Sequence, residues 1–190
     1  TVMFAKSNSR IEHSGTINII ASTSTSKPNI GVFTEDINTI VHNNKDIIGG
    51  DNTYGIYGKN ISMDSNGKIK VGDNSVGIFG KEIVQKGTIA VGNGGTGLYS
   101  EGGNVTLDST SKINTGANKA VGVFTKGIGQ TITANAGSTM TIGDSSFGFL
   151  NEGTGNTINS NVASQALGND GTYIYSSDRT GKRFRSEERR

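Results

Sequence analysis

Ser75-Val76-Gly77-Ile78-Phe79-Gly80-Lys81 decides how this chain is read. The phrase is glycine, a branched apolar residue, an aromatic, a small residue and then lysine. It returns as Gly31-Val32-Phe33-Thr34, Gly55-Ile56-Tyr57-Gly58-Lys59, Gly97-Leu98-Tyr99-Ser100 and Gly122-Val123-Phe124-Thr125-Lys126. Looser copies are Val2-Met3-Phe4-Ala5-Lys6, Gly148-Phe149-Leu150-Asn151 and Tyr173-Ile174-Tyr175-Ser176. With the aromatic (or Leu150) as marker, the intervals are 29, 24, 22, 20, 25, 26 and 25 residues. A phrase that is kept while its spacing drifts is the mark of a solenoid, in which loops vary around a stacked element.

Between the markers each unit has the same grammar. After the aromatic strand comes a second short one: Asn60-Ile61-Ser62-Met63, Glu82-Ile83-Val84-Gln85, Asn104-Val105-Thr106-Leu107 or Gln130-Thr131-Ile132-Thr133. A third ends at a glycine: Lys68-Ile69-Lys70-Val71-Gly72, Thr88-Ile89-Ala90-Val91-Gly92, Lys112-Ile113-Asn114-Thr115-Gly116 or Thr139-Met140-Thr141-Ile142-Gly143. Each alternates apolar and polar residues and is rich in β-branched side chains, as a strand with one buried face requires. The stops at Gly72, Gly92 and Gly143 place Gly beside Asp or Asn, residues suited to tight turns. Three short strands and three corners per unit predict an all-β fold: a parallel β-helix of about seven coils, 20–29 residues each. At ~4.8 Å per coil, seven coils give a rod about 34 Å long. Ile56, Ile78, Leu98 and Val123 are expected to form one aliphatic ladder, and Val71, Val91 and Ile142 another. Phe33, Tyr57, Phe79, Tyr99 and Phe124 are expected to stack along one edge, with burial as the default for a repeated aromatic. The glycine before the aliphatic residue marks a close approach or a bend.

Composition agrees with a solenoid. Gly accounts for 29 of 190 residues, hydrophobics for 32%, and Pro for a single residue. That excludes collagen and Pro-rich linkers, and it fits a narrow core column with much polar surface. The absence of cysteine excludes a disulfide scaffold and a thiolate metal site. No apolar run approaches the ~20 residues of a membrane span. The net charge of +2 hides an asymmetry: residues 179–190 carry +4, leaving −2 for residues 1–178. The division expected is a β-helix over 1–178 and a basic tail over 179–190, disordered or foreign to the repeats.

No chemistry is legible. His13 and His42 lie in stretches read as irregular and are expected at the surface, without the spacing of a ligand set. Asp51, Asp64, Asp73, Asp108 and Asp144 mostly stand beside Gly at turns, which accounts for them without catalysis. Stacked corners would align Asp73 with Asp144, but Asn93 and Ala117 intervene. Gly92-Asn93-Gly94-Gly95-Thr96-Gly97 lacks the Asp of calcium-binding nonapeptide repeats. No catalytic, cofactor or metal residue is assigned, no cofactor is expected, and the binding residues are left open. The segments 21–28 and 34–45 are read as loops, the usual place for binding residues on a solenoid.

Gly55-Ile56-Tyr57-Gly58-Lys59-Asn60, Val71-Gly72-Asp73-Asn74-Ser75-Val76-Gly77-Ile78-Phe79 and Ala120-Val121-Gly122-Val123-Phe124 resemble the passenger repeats of large type Va autotransporter adhesins, fusobacterial ones above all. The resemblance covers residues 1–178. It implies a right-handed parallel β-helix, export through a C-terminal outer-membrane barrel outside this segment, and display on the bacterial surface. It implies adhesion to other bacteria, host cells or glycans, with the remainder of the passenger as a further partner. Nucleic acid is not expected as a partner. A polysaccharide-degrading β-helix enzyme is the alternative, and it would need clustered carboxylates on one face.

Overall fold

The computed structural model describes residues 1–36, 38–63 and 66–177, together with the backbone of Arg185–Ser186. Among these residues every regular element is a strand. The strands form three sheets of eight, eight and seven members, and all pairings are parallel. One coil supplies one strand to each sheet in turn. Val76–Gly80, Glu82–Gln85 and Thr88–Val91 make a central coil, and Thr96–Glu101 opens the next. The molecule is therefore the parallel β-helix that the repeat predicts. The expected tail, 179–190, lies outside the described residues apart from the backbone of Arg185–Ser186, and so does Asp64.

Every interval of the phrase is one turn of the helix. Phe4 pairs with Phe33, Phe33 with Tyr57, Tyr57 with Phe79, Phe79 with Tyr99, Tyr99 with Phe124, Phe124 with Leu150, and Leu150 with Tyr175. The first sheet carries these residues, and its inward column is Val32, Ile56, Ile78, Leu98, Val123 and Phe149. The third sheet faces it with Ile17, Ile47, Ile69, Ile89 and Ile113 in consecutive register. Val71 and Val91 pair on the same sheet, with Thr115 above them before Ile142 resumes the apolar column two coils on. The second sheet adds Ile11, Val41, Ile61, Ile83, Val105, Ile132 and Ile158. These three walls bury one another into a single core cluster.

The glycine of the phrase is a close approach. A Cβ on Gly77 would lie 2.6 Å from the Gly97 carbonyl oxygen and 2.9 Å from Ile89 of the third sheet. Gly31, Gly55 and Gly97 repeat the contact with the glycine carbonyl of the next coil at 2.6 Å. The backbones sit too near one another there for any side chain.

The corner between the third and first sheets repeats too. Its carboxyl or amide oxygens climb the rod: Asp51 Oδ1 accepts the N–H of Asp73, Asp73 Oδ1 that of Asn93, and Asn93 Oδ1 that of Ala117, each at 2.8 Å. Asp144 resumes the ladder to Asn169 at 2.8 Å. The next corner residue takes the left-handed conformation, with φ of 54° at Asn52, 52° at Asn74, 63° at Gly94 and 58° at Asn118. Asn and Gly tolerate it best.

One of the two expected loops is corrected. Segment 21–28 is irregular, as expected, and is tied by Ser22 Oγ donating to Lys27 O at 2.7 Å. Segment 34–45 instead contains the strand Ile40–Asn43, paired on both sides in the second sheet. Its inward positions are Val41 and the polar Asn43, so the apolar alternation that marks other strands is missing.

Candidate functional site

Alternation along a strand fixes what each residue of the phrase can do. In Val76–Gly80, Ile78 is fully buried, so Phe79 points the other way. The aromatic edge is thus on the outside of the first sheet, not in the core where burial was expected. Phe33, Tyr57, Phe79, Tyr99 and Phe124 are all half-buried, and Phe4 is 56% exposed.

The rings cover one another instead of entering the core. Successive centroids lie 5.5 Å apart for Phe4–Phe33, 5.4 Å for Phe33–Tyr57, 4.5 Å for Tyr57–Phe79, 4.8 Å for Phe79–Tyr99 and 4.6 Å for Tyr99–Phe124. These separations follow from the ~4.8 Å strand spacing, which is also a good stacking distance. Tyr54, three residues before Tyr57 and half-buried like it, meets Tyr57 and Phe79 edge-on at 5.8 and 6.4 Å. Leu150 ends the run of rings.

A shallow cleft of about 340 Å³ opens on this column. Phe33, Tyr57 and Phe79 line it, with Glu35, Lys59, Lys81 and Glu101 along one border. Those charges occupy the outward position two residues after the aromatic, beyond an inward small residue. Burial raises the Tyr99 hydroxyl pKa above its ordinary value, and the Glu101 and Glu152 carboxylates add to the effect. Burial also raises that of Tyr54, with Tyr57 adding to it.

No family model, curated protein or solved structure matches this chain.

Of the carboxylates singled out in the sequence, the four that are described have structural partners. Asp51, Asp73 and Asp144 are spent on the corner ladder. Asp108 Oδ1 accepts the N–H of Ser109 at 2.7 Å, a local turn bond. Glu35 and Glu101, which the sequence reading passed over, share the cleft but sit three rungs apart. At ~4.8 Å per rung that is about 14 Å, beyond the ~5–9.5 Å of a glycosidase pair. Among the described residues no three His, Asp or Glu side chains gather as metal ligands. The Gly92–Gly97 stretch is a corner followed by the start of a strand.

His13 is a second correction. It is only 4% exposed, on the inward face of Arg10–His13 two residues after Ile11. Its Nδ1 lies 2.5 Å from Asn43 Oδ1, a hydrogen bond across the coils, while among the described residues His13 Nε2 and Asn43 Nδ2 have no partner. His42 is the outward neighbour of Asn43 and is half-buried.

A buried polar network fills the first-to-second corner of the later coils. Thr125 Oγ1 and Asn156 Nδ2 donate to Asn151 Oδ1 at 3.1 and 2.7 Å. Asn156 Oδ1 accepts the N–H of Gln130 at 2.7 Å, and Gln130 Nε2 donates to Gly103 O at 2.6 Å. These groups satisfy one another inside the rod, as buried polar atoms must.

Proposed function

We infer that this chain is a β-helical passenger segment of a surface-displayed bacterial adhesin, and that the outer face of its first sheet is the binding face. The observation that carries the reading is the outward aromatic column with its cleft. Five half-buried rings and one largely exposed ring, placed at the same repeat position, form a continuous apolar stripe along a polar rod. Contiguous exposed apolar surface of this kind marks interaction sites on soluble folds. The repeat phrases supply the rest of the reading through their resemblance to type Va autotransporter passengers. In that setting the rod is held at the outer membrane by a barrel elsewhere in the protein, and its partners are receptors or glycans on bacterial or host cells.

Binding of the labelled chain to intact bacterial and epithelial cells tests this. Saturable binding, competed by unlabelled protein and weakened by Tyr57→Ser, is the expected result. A folded chain that binds neither cell type would make this segment a spacer whose role is reach, and would end the assignment of a binding face.

A further inference from the structure

The charges beside the aromatic column are ordered. Two residues after each ring, or after Leu150, the outward side chains run Lys6, Glu35, Lys59, Lys81, Glu101, Lys126 and Glu152 up the rod. Lys6 and Glu35 form an ion pair at 3.2 Å, and Glu101 pairs in register with Lys126. Opposite charges across neighbouring strands stabilise a sheet, and like charges there destabilise it. One pair breaks the rule. Lys59 and Lys81 are adjacent, their backbones joined by Lys81 N–H donating to Lys59 O at 2.8 Å. Among the described residues neither ammonium forms an ion pair. Both lie on the cleft beside Tyr57 and Phe79, each with a carboxylate on its other flank, Glu35 next to Lys59 and Glu101 next to Lys81.

Those two rings are parallel, 3° between planes at 4.5 Å. Their faces toward each other are occupied, so the pair turns ring edges to the cleft. The edge is the positive part of an aromatic quadrupole. Two adjacent ammonium groups and two ring edges therefore make the middle of the cleft electropositive, although its four lining charges sum to zero. Glu35 and Glu101 close it at either end of the lysine pair. A regular polyanion running along the rod would meet both carboxylates. A single anionic group between the lysines would not, and hydroxyls around it would find acceptors in Glu35 and Glu101.

We propose that the cleft over Tyr57 and Phe79 binds a carboxylate-bearing sugar residue of an otherwise neutral glycan, with its carboxylate between Lys59 and Lys81. This rests on reading the chain as a ligand-binding adhesin segment. A sialic acid and a uronic acid both present the required group. Nucleic acid and heavily sulfated chains are disfavoured by the flanking carboxylates, and bases find no open ring face between the stacked pair.

Calorimetry on the full chain tests this with sialyllactose against lactose, cellobiouronic acid against cellobiose, and a heparin hexasaccharide, alongside the cell-binding assay. At least one acidic sugar should bind about tenfold more tightly than its neutral parent, and which one does so identifies the source. Lys59→Gln with Lys81→Gln should abolish that margin, Lys59→Arg with Lys81→Arg should keep it, and Lys126→Gln should leave it unchanged. Melting curves report whether each variant is folded. Equal binding of acidic and neutral sugars, tighter binding of heparin, a margin that survives the double glutamine variant, or no sugar binding would each overturn the proposal. If cells are still bound in any of those cases, the adhesive reading stands without it. If cells are not bound either, both fall.

Discussion

The rings of Tyr57 and Phe79 lie 3° from parallel with centroids 4.5 Å apart, on the outside of a rod whose aliphatic side chains fill the inside. The phrase thus does two jobs with adjacent residues. Ile78 seals the core, and Phe79 builds the outer column. The outer column should also contribute stability, because each ring shields its neighbours from water.

Phe79→Ala removes the ring between Tyr57 and Tyr99 and should cost about 1–3 kcal/mol in denaturant unfolding. A cycle with Tyr57→Ala should show a coupling of about 0.5–1.5 kcal/mol. Strict additivity of the two substitutions would mean that the stacking is geometric only.

Gly77 tests the close approach of the coils. An alanine Cβ there meets the Gly97 carbonyl oxygen at 2.6 Å, and backbone cannot move aside without shifting the coil above. Gly77→Ala should therefore destabilise by about 1–3 kcal/mol, as overpacking does. Gly15→Ala is the control, because a Cβ at that position meets nothing within 4 Å. It should change stability by less than about 0.5 kcal/mol. Equal melting temperatures for the two variants would contradict the ladder of glycines.

The coil spacing was legible because the phrase is tied to one rung: the seven intervals counted in the sequence are the seven register pairings of the first sheet. The exterior position of the rings was also within reach. Ile78 and Phe79 are consecutive, so a strand that buries one must expose the other. A default favouring burial of aromatics outweighed that rule. His13 and the strand Ile40–Asn43 were hidden for a different reason. Their inward positions hold His13 and Asn43, which bond to each other across the coils, and a polar pair inside a core breaks the apolar alternation that reveals other strands. The charge order beside the rings needed the register, since Lys59 and Lys81 become neighbours only when the coils stack.

The corner ladder has a natural gap. Asn93 Oδ1 accepts the N–H of Ala117 at 2.8 Å, but Ala117 has no oxygen to offer the coil above. Ala117→Asn should restore the acceptor and raise stability by about 0.5–1.5 kcal/mol, the usual net worth of such a bond. Asp73→Ala should cost a similar amount, because it leaves the Asn93 N–H without its present acceptor, and Asp73→Asn should cost less. A drop in melting temperature for Ala117→Asn would mean that the corner at Asn118 and Lys119, with φ of 58° and 66°, cannot hold the side chain in the ladder geometry.

Stability at high pH follows from the tyrosines. Burial raises the hydroxyl pKa values of Tyr54, Tyr99 and Tyr173 above the ordinary 10.0, and the Glu101 and Glu152 carboxylates add to the rise at Tyr99. Between 10.0 and those raised values the unfolded chain has released protons that the folded chain still holds. The unfolded state then binds fewer protons, so stability falls with increasing pH. The contribution is complete below pH 10 and is lost as pH climbs through the folded values. Melting temperatures from pH 8 to 11 should show a decline that sets in near pH 10 and is shallower in Tyr99→Phe. Phenolate absorbance should place Tyr99 closer to 10 in Glu101→Gln than in the parent, while burial keeps it above. A Tyr99→Phe variant as steep as the parent would remove this ring from the account and leave the decline to the other ionising groups.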